Sequence, residues 1–163
     1  MAEVQVTVQI PEPLRNLGSL IDETIGDAQN EIALLGQRMV QDIIRKDGII
    51  ASGAYLNSIS SRFEQSATTF SSVIESAVSY ASVIEEGRRA GAKQPPVEAI
   101  ADWMGRKGIS GERGVAFVIA RSIGRKGTPG KFVFKRAAEA LEPKAVAAVL
   151  LALERATLKI QGQ

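Results

Sequence analysis

The 163-residue sequence contains no cysteine and no histidine. The first absence excludes disulfides and thiolate chemistry, and the second removes the commonest general base and the commonest transition-metal ligand. Aromatic residues make up 5% of the chain. No apolar run approaches the ~20 residues that a membrane span requires. We therefore expect no enzyme, no metal, no cofactor and no membrane contact.

Two enzyme classes survive these absences, and neither has a recognisable motif. Ser52 precedes Gly53 without a histidine to activate it, so a Ser–Lys pair and carboxylates around a divalent metal stay open. Residues 124–131 look like a phosphate-binding loop at first sight. However, Arg125 and Phe132 stand where that motif needs a glycine and a hydroxyl residue.

The remaining composition is that of one folded domain. Apolar residues make up 45% of the chain and the mean hydropathy is +0.02, so one real core is expected. The first residues lack the positively charged and apolar regions of a signal peptide, which predicts a soluble product made in the cytoplasm. We expect an extended N-terminal arm over residues 1–13 and a single α+β domain over residues 14–163.

Charge is distributed unevenly along the chain. Residues 88–136 carry 12 Lys and Arg against three acids, a net charge of +9, whereas the rest carries 8 against 15, a net charge of −7. Such a layout suits either another copy that presents its acidic part or a polyanion such as DNA; the alternative is that the basic segment is only a solvated face. The expected contact residues are Arg88, Arg89, Lys93, Arg106, Lys107, Arg125, Lys126 and Lys131.

Hydrophobic periodicity predicts a strand and then a long helix. Residues 4–10 alternate apolar and polar side chains, which predicts a strand that pairs within the fold or with a neighbouring copy. From Leu17 to Ile43 apolar residues recur at steps of three and four, which predicts a helix over roughly 20–46 that Gly48 stops.

Later segments predict a strand pair and three helices. Period-two patterns at 55–63 and 70–78 predict two antiparallel strands. Pro96 is expected at the first position of a helix that ends at Gly108. A second helix should run from 115 to 125. The third should start near Pro143 and run over 144–160, after a separate helical turn at 135–141. The sequence Gly-Arg-Lys-Gly occurs at 105–108 and 124–127, at two predicted helix ends.

Three segments, in this order, resemble the tail-completion family of long-tailed bacteriophages, the lambda gpZ-like group of small head–tail joining proteins. They are Ser-Gly-Ala-Tyr-Leu-Asn-Ser-Ile at 52–59, Tyr-Ala-Ser-Val-Ile-Glu-Glu-Gly at 80–87, and Gly-Thr-Pro-Gly-Lys-Phe at 127–132. The matching residues are Ser52, Gly53, Leu56 and Ser58, then Tyr80, Ala81, Glu86 and Gly87, then Pro129, Phe132 and Ala137. Because Glu85 and Glu86 are adjacent, the matching glutamate stays open between these two. Phe132 and Phe134, at period two, should pack the returning chain on the sheet.

The resemblance implies a long N-terminal helix packed on a small antiparallel β-sheet, with additional C-terminal helices. It also implies a structural virion protein of the phage neck, assembled in the host cytoplasm, that completes the tail and joins it to the head. Its partners would be further copies in a ring, most plausibly hexameric, around the DNA channel, together with the tail terminator, the major tail tube protein and the head connector. The alternative is a stand-alone protein that binds nucleic acid non-specifically.

Overall fold

A long helix forms as its periodicity predicts. The computed structural model describes residues 2–9, 19–66 and 69–161, and helix α1 occupies Ser19–Lys46. Its buried face includes Ile25 and Ile32, which belong to the predicted apolar stripe. Val40 and Ile44, which form a second row beside that stripe, are buried as well. Gly48 follows with φ +63°, the left-handed conformation that ends helices. Leu17 of the predicted stripe lies outside the described residues.

A three-stranded antiparallel sheet packs beside α1. Its strands are β1 (Glu3–Gln9), β2 (Ile59–Gln65) and β3 (Thr69–Ser76), in the order β1-β3-β2. The predicted N-terminal strand therefore pairs within the chain, and its predicted last residue, Ile10, lies outside the described residues. Strand β3 is central, and it is buried on both faces. Phe70 and Ile74 lie on the predicted face, and Ser71 and Val73 lie on the opposite one.

The first predicted strand of the pair starts four residues later than expected. Residues Ala54–Asn57 form a short helix, α2, instead of extended chain. Gly53 enters it with φ +78°, and the Ser58 hydroxyl donates to the Tyr55 carbonyl at 2.8 Å. These local contacts stabilise a helical turn, although the period-two hydrophobic pattern of the segment predicts a strand.

The last helix is continuous, which corrects the predicted break near Pro143. Helix α6 occupies Val133–Gln161 with Pro143 inside it. An interior proline removes one helix hydrogen bond and costs about 3 kcal/mol in an isolated helix. Here Leu141 and Ala145 are buried on either side of the exposed proline, and α6 packs along α1. Burial on both sides of Pro143 therefore holds the two halves in one helix.

The middle of the chain contains the remaining short elements. They are α3 (Ala81–Glu86), β4 (Gly87–Arg88), α4 (Val97–Arg106), α5 (Arg113–Lys126) and β5 (Thr128–Pro129). Both Gly-Arg-Lys-Gly copies lie at helix ends, as predicted. Pro96 is the N-cap residue of α4 and not its first helical residue, because its ψ of 135° is extended. Helices α4 and α5 pack chiefly against each other and form a helical hairpin.

The chain thus has the expected α+β fold: a long N-terminal helix on a small antiparallel sheet, with further helices toward the C-terminus. The core lies between α1, α6 and the sheet, where Gly36 allows close approach. A Cβ atom at Gly36 would lie 2.8 Å from Ile74 and 2.9 Å from Leu141. In the described ranges, no helix is both long enough and apolar enough to cross a bilayer.

Candidate functional site

The second and third motif segments meet in a junction at the start of α6. Strand β4 pairs antiparallel with β5, with Gly87 opposite Pro129. Gly87 has φ +81°, and a Cβ atom there would collide with the Thr128 carbonyl. Both the positive φ and the close approach of the two backbones therefore require glycine at this position.

Glu85 holds this junction together. Its carboxylate accepts hydrogen bonds from the backbone N–H groups of Phe134, at 3.0 Å, and Lys135, at 2.9 Å. These N–H groups belong to the first turn of α6, where helices have unpaired donors and a partial positive charge. Glu86, the other candidate for the motif glutamate, is exposed. Glu85 therefore acts as a long-range helix cap. The sequence could not show this role, because residues 85 and 134 are far apart in the chain.

Phe132 does not pack on the sheet, which corrects the prediction for the Phe132–Phe134 pair. Phe134 is buried, but Phe132 is 47% exposed with φ +49°. The two aromatic rings separate because Val133 already begins α6. Ala137, the last motif residue, lies one turn further along and is buried in the core.

The first motif segment lies next to the second one. Gly53 leads into α2, and the Ser52 hydroxyl accepts a hydrogen bond from the Ala54 N–H at 3.3 Å. The rings of Tyr55 and Tyr80 are 6.4 Å apart. Ala81 is fully buried and belongs, with half-buried Leu56, to the same core cluster. All three motif segments therefore converge on one end of the core.

A cleft of about 520 Å³ opens at this end. Its walls are the 47–53 loop, α2, Tyr80, Ile84, one side of α4 and Lys131. Lys107 closes one side, because its ammonium group donates to the Gly48 carbonyl at 2.8 Å. Arg106 and Lys131 line the cleft, so three of the predicted contact cations gather here.

Two further features define the electrostatics of the cleft. Asp47 pairs with Arg136 at 2.5 Å, and this hydrogen bond lowers the pKa of Asp47 below its ordinary value. The Tyr55 hydroxyl is buried, and no hydrogen-bond partner for it lies within the described residues. Burial, with the charge of Glu85 as a lesser cause, raises the pKa of Tyr55 to about 12. Tyr55 is therefore a neutral donor at physiological pH, and it cannot serve as a general base.

The predicted contact cations fall into three places. Arg106, Lys107 and Lys131 line the cleft. Arg88 ends β4, Arg89 and Lys93 belong to the loop that follows it, and Arg125 and Lys126 lie exposed on α5.

The loop and α5 are adjacent, because the Gly91 N–H donates to the Gly124 carbonyl at 2.9 Å. Arg88 is the least available of these cations. It is half-buried, and its guanidinium donates to the Lys93 carbonyl at 2.5 Å.

The structure also presents apolar surface that the sequence reading did not single out. On α5, Phe117 is 46% and Val118 is 64% exposed, and on α6, Val146 is 55% and Leu150 is 61% exposed. The sequence does contain a pattern that indicates this surface, because residues 145–153 are all apolar. A helix that is apolar on every side usually has a partner.

No metal centre is evident in the described part of the chain, where no three acidic residues cluster so as to hold an ion. Comparisons with protein families, with curated proteins and with solved structures gave no match. The cleft thus combines apolar walls with the cations Arg106, Lys107 and Lys131, and its carboxylate, Asp47, is paired with Arg136. It suits the binding of acidic groups.

Proposed function

We propose that this chain is a structural virion protein of the phage neck, which completes the tail and joins it to the head as a ring around the DNA channel. The observation that supports the proposal best is the convergence of the three motif segments. Although residues 52–59, 80–87 and 127–137 are separate in sequence, the Tyr55–Tyr80 contact and the Glu85 cap connect them. Motifs that build one junction are a more specific likeness than motifs scattered over a surface.

Electrostatics support the same proposal. Ring subunits contact each other through two different surfaces, and opposed charges help to set their register. The loop cations Arg89 and Lys93 are exposed, and neither forms an ion pair within the described residues. They are available to an acidic surface on a neighbouring protein or to the DNA in the channel.

The test is genetic and structural. Deletion of the gene should leave filled heads and separate tails, and the chain should be present in purified wild-type virions by mass spectrometry. Complementation with the Arg89→Glu/Lys93→Glu variant should fail to restore joined particles. The matched control is Lys144→Glu, a reversal of an exposed cation on α6, and it should restore them. Virions that lack the chain, or normal joining without it, would refute the proposal.

A stand-alone nucleic-acid-binding protein is the second candidate. The exposed Arg89, Lys93, Arg125 and Lys126 favour it, because phosphate contacts need accessible cations and little else. A mobility shift of duplex DNA by the isolated chain would support this candidate if the affinity fell steeply with salt. The logarithm of the association constant should fall by about 0.9 per phosphate contact for each tenfold rise in salt concentration. No shift at physiological ionic strength would exclude it.

A further inference from the structure

A groove runs between the free edge of the sheet and α6. It has a volume of about 590 Å³, and strand β1 forms one wall with Val4, Val6 and Val8. Val146 and Leu150 project from the other wall and are more than half exposed. Apolar surface of this kind is costly to leave in water, and it usually marks an interaction site.

Charge is confined to one end of this groove. Glu139 and Glu142 lie one to two turns before Val146 on the same face of α6, with Lys135 beyond them. Both glutamates are exposed, and neither forms an ion pair within the described residues. Along α6 the groove wall therefore changes from acidic to apolar within seven residues, about 10 Å at the rise of an α-helix.

The outer face of α5 has the opposite charge and the same length. Val118 is its most exposed apolar residue, at 64%, and Arg121, Arg125 and Lys126 follow on the same face. From Val118 to Arg125 is again seven residues. Neither arginine has an ion-pair partner within the described residues, and α5 packs chiefly against α4 and leaves this face free.

We propose that the outer face of α5 docks in the β1–α6 groove of a second copy of this chain. When the two helices run antiparallel, Val118 meets Val146, Arg121 meets Glu142 and Arg125 meets Glu139. The occupant is a second copy because the two surfaces match in length, in apolar pattern and in charge. Since the two surfaces differ, the contact is head-to-tail, and its repetition produces a ring if the rotation closes. This inference rests on the proposed function, for which it supplies the subunit interface.

The absence of cysteine permits a direct test by disulfide cross-linking of the full chain. The variants Val118→Cys and Val146→Cys, one of them carrying a mass tag, are mixed and oxidised with diamide. The mixed disulfide should exceed either self-disulfide, and the chain with both substitutions should give a ladder of covalent oligomers. Asn30→Cys, on the exposed face of α1, is the matched control and should not cross-link to Val118→Cys.

A charge swap tests the register. Arg125→Glu and Glu139→Arg should each weaken self-association at least about tenfold, because like charges then face each other in the contact. The double variant, in which the charges are exchanged, should recover most of the wild-type affinity in analytical ultracentrifugation. Equal association by all four proteins would overturn the register.

The remaining outcomes separate this inference from the function it rests on. Oligomers that form without the Val118–Val146 cross-link, or with Val118 linked to its own counterpart, would overturn the interface and leave the neck role intact. The same conclusion follows if maleimide fails to label Val146→Cys in dilute monomer, because the chain's own residues would then cover the groove. A chain that stays monomeric at millimolar concentration would also overturn the interface, and virion composition decides the neck role separately.

Discussion

Removal of the Glu85 carboxylate should destabilise the fold by a measurable and specific amount. The side chain accepts hydrogen bonds from two backbone N–H groups, at 3.0 and 2.9 Å. One of these donors belongs to Phe134, which is 2% exposed, so water can replace the lost acceptor only poorly. Hydrogen bonds to charged groups contribute about 1.5–3 kcal/mol each when buried, and loss of a helix cap costs about 0.5–2 kcal/mol. Because Glu85 is only half-buried, we expect Glu85→Ala to cost about 2 kcal/mol in total.

Equilibrium unfolding in urea, followed by circular dichroism, measures this effect. The midpoint should fall while the slope stays unchanged, since the change alters stability and not the surface exposed on unfolding. The melting temperature should fall by about 4–8 °C for a chain of this length. Glu85→Gln keeps one acceptor oxygen and loses the charge, so it should lie between wild type and Glu85→Ala, near a loss of about 1 kcal/mol.

The neighbouring Glu86 provides a matched control. It is exposed and belongs to the same helix, so Glu86→Ala should change stability by less than about 0.5 kcal/mol. If the two alanine variants have the same free energy of unfolding, Glu85 does not cap α6. If Glu86→Ala is the more damaging one, Glu86 is the motif glutamate and the capping argument is wrong.

Three further substitutions, with Gly105→Ala as a control for the first, test the site in the same unfolding assay. Gly87→Ala should cost more than about 2 kcal/mol, because φ is +81° and the new Cβ would strike the β5 backbone. Gly105→Ala, in open helix, should gain about 0.4–1 kcal/mol, and similar values for the two would contradict the argument. Asp47→Asn should be less stable than wild type at pH 7, because Arg136 holds the pKa of Asp47 below 3.8 in the folded chain. The free energies of unfolding of the two proteins should converge as pH falls below 3.8. A constant difference down to pH 2 would count against the Asp47–Arg136 pair. Tyr55→Phe should be no less stable than wild type at pH 7. Wild type should lose stability between pH 10 and pH 12, as the tyrosine ionises in the unfolded chain, and the variant should lack this loss. A loss above about 1 kcal/mol in the variant at pH 7 would show that the hydroxyl has a partner.

Local sequence determined the extent of the long helix and the identity of the strand pair. Helix α1 needs only apolar residues at steps of three and four and a glycine after its last turn, and both features act over a few residues. The alternating pattern of residues 59–63 and 70–76 likewise places its side chains on one face of a sheet. The two Gly-Arg-Lys-Gly sequences mark helix ends for the same short-range reason.

Tertiary structure decided the features that depend on distant partners. Pro143 stays inside α6 because the core buries Leu141 and Ala145 on either side of it, and no local pattern around the proline contains that information. The choice of Glu85 over Glu86 depends on where the start of α6 lies, about 50 residues further along the chain. The match between α5 and the β1–α6 groove likewise arises only after three separate segments have packed. Short-range rules determine which elements form, whereas contacts between distant residues determine which side chains meet and which remain exposed.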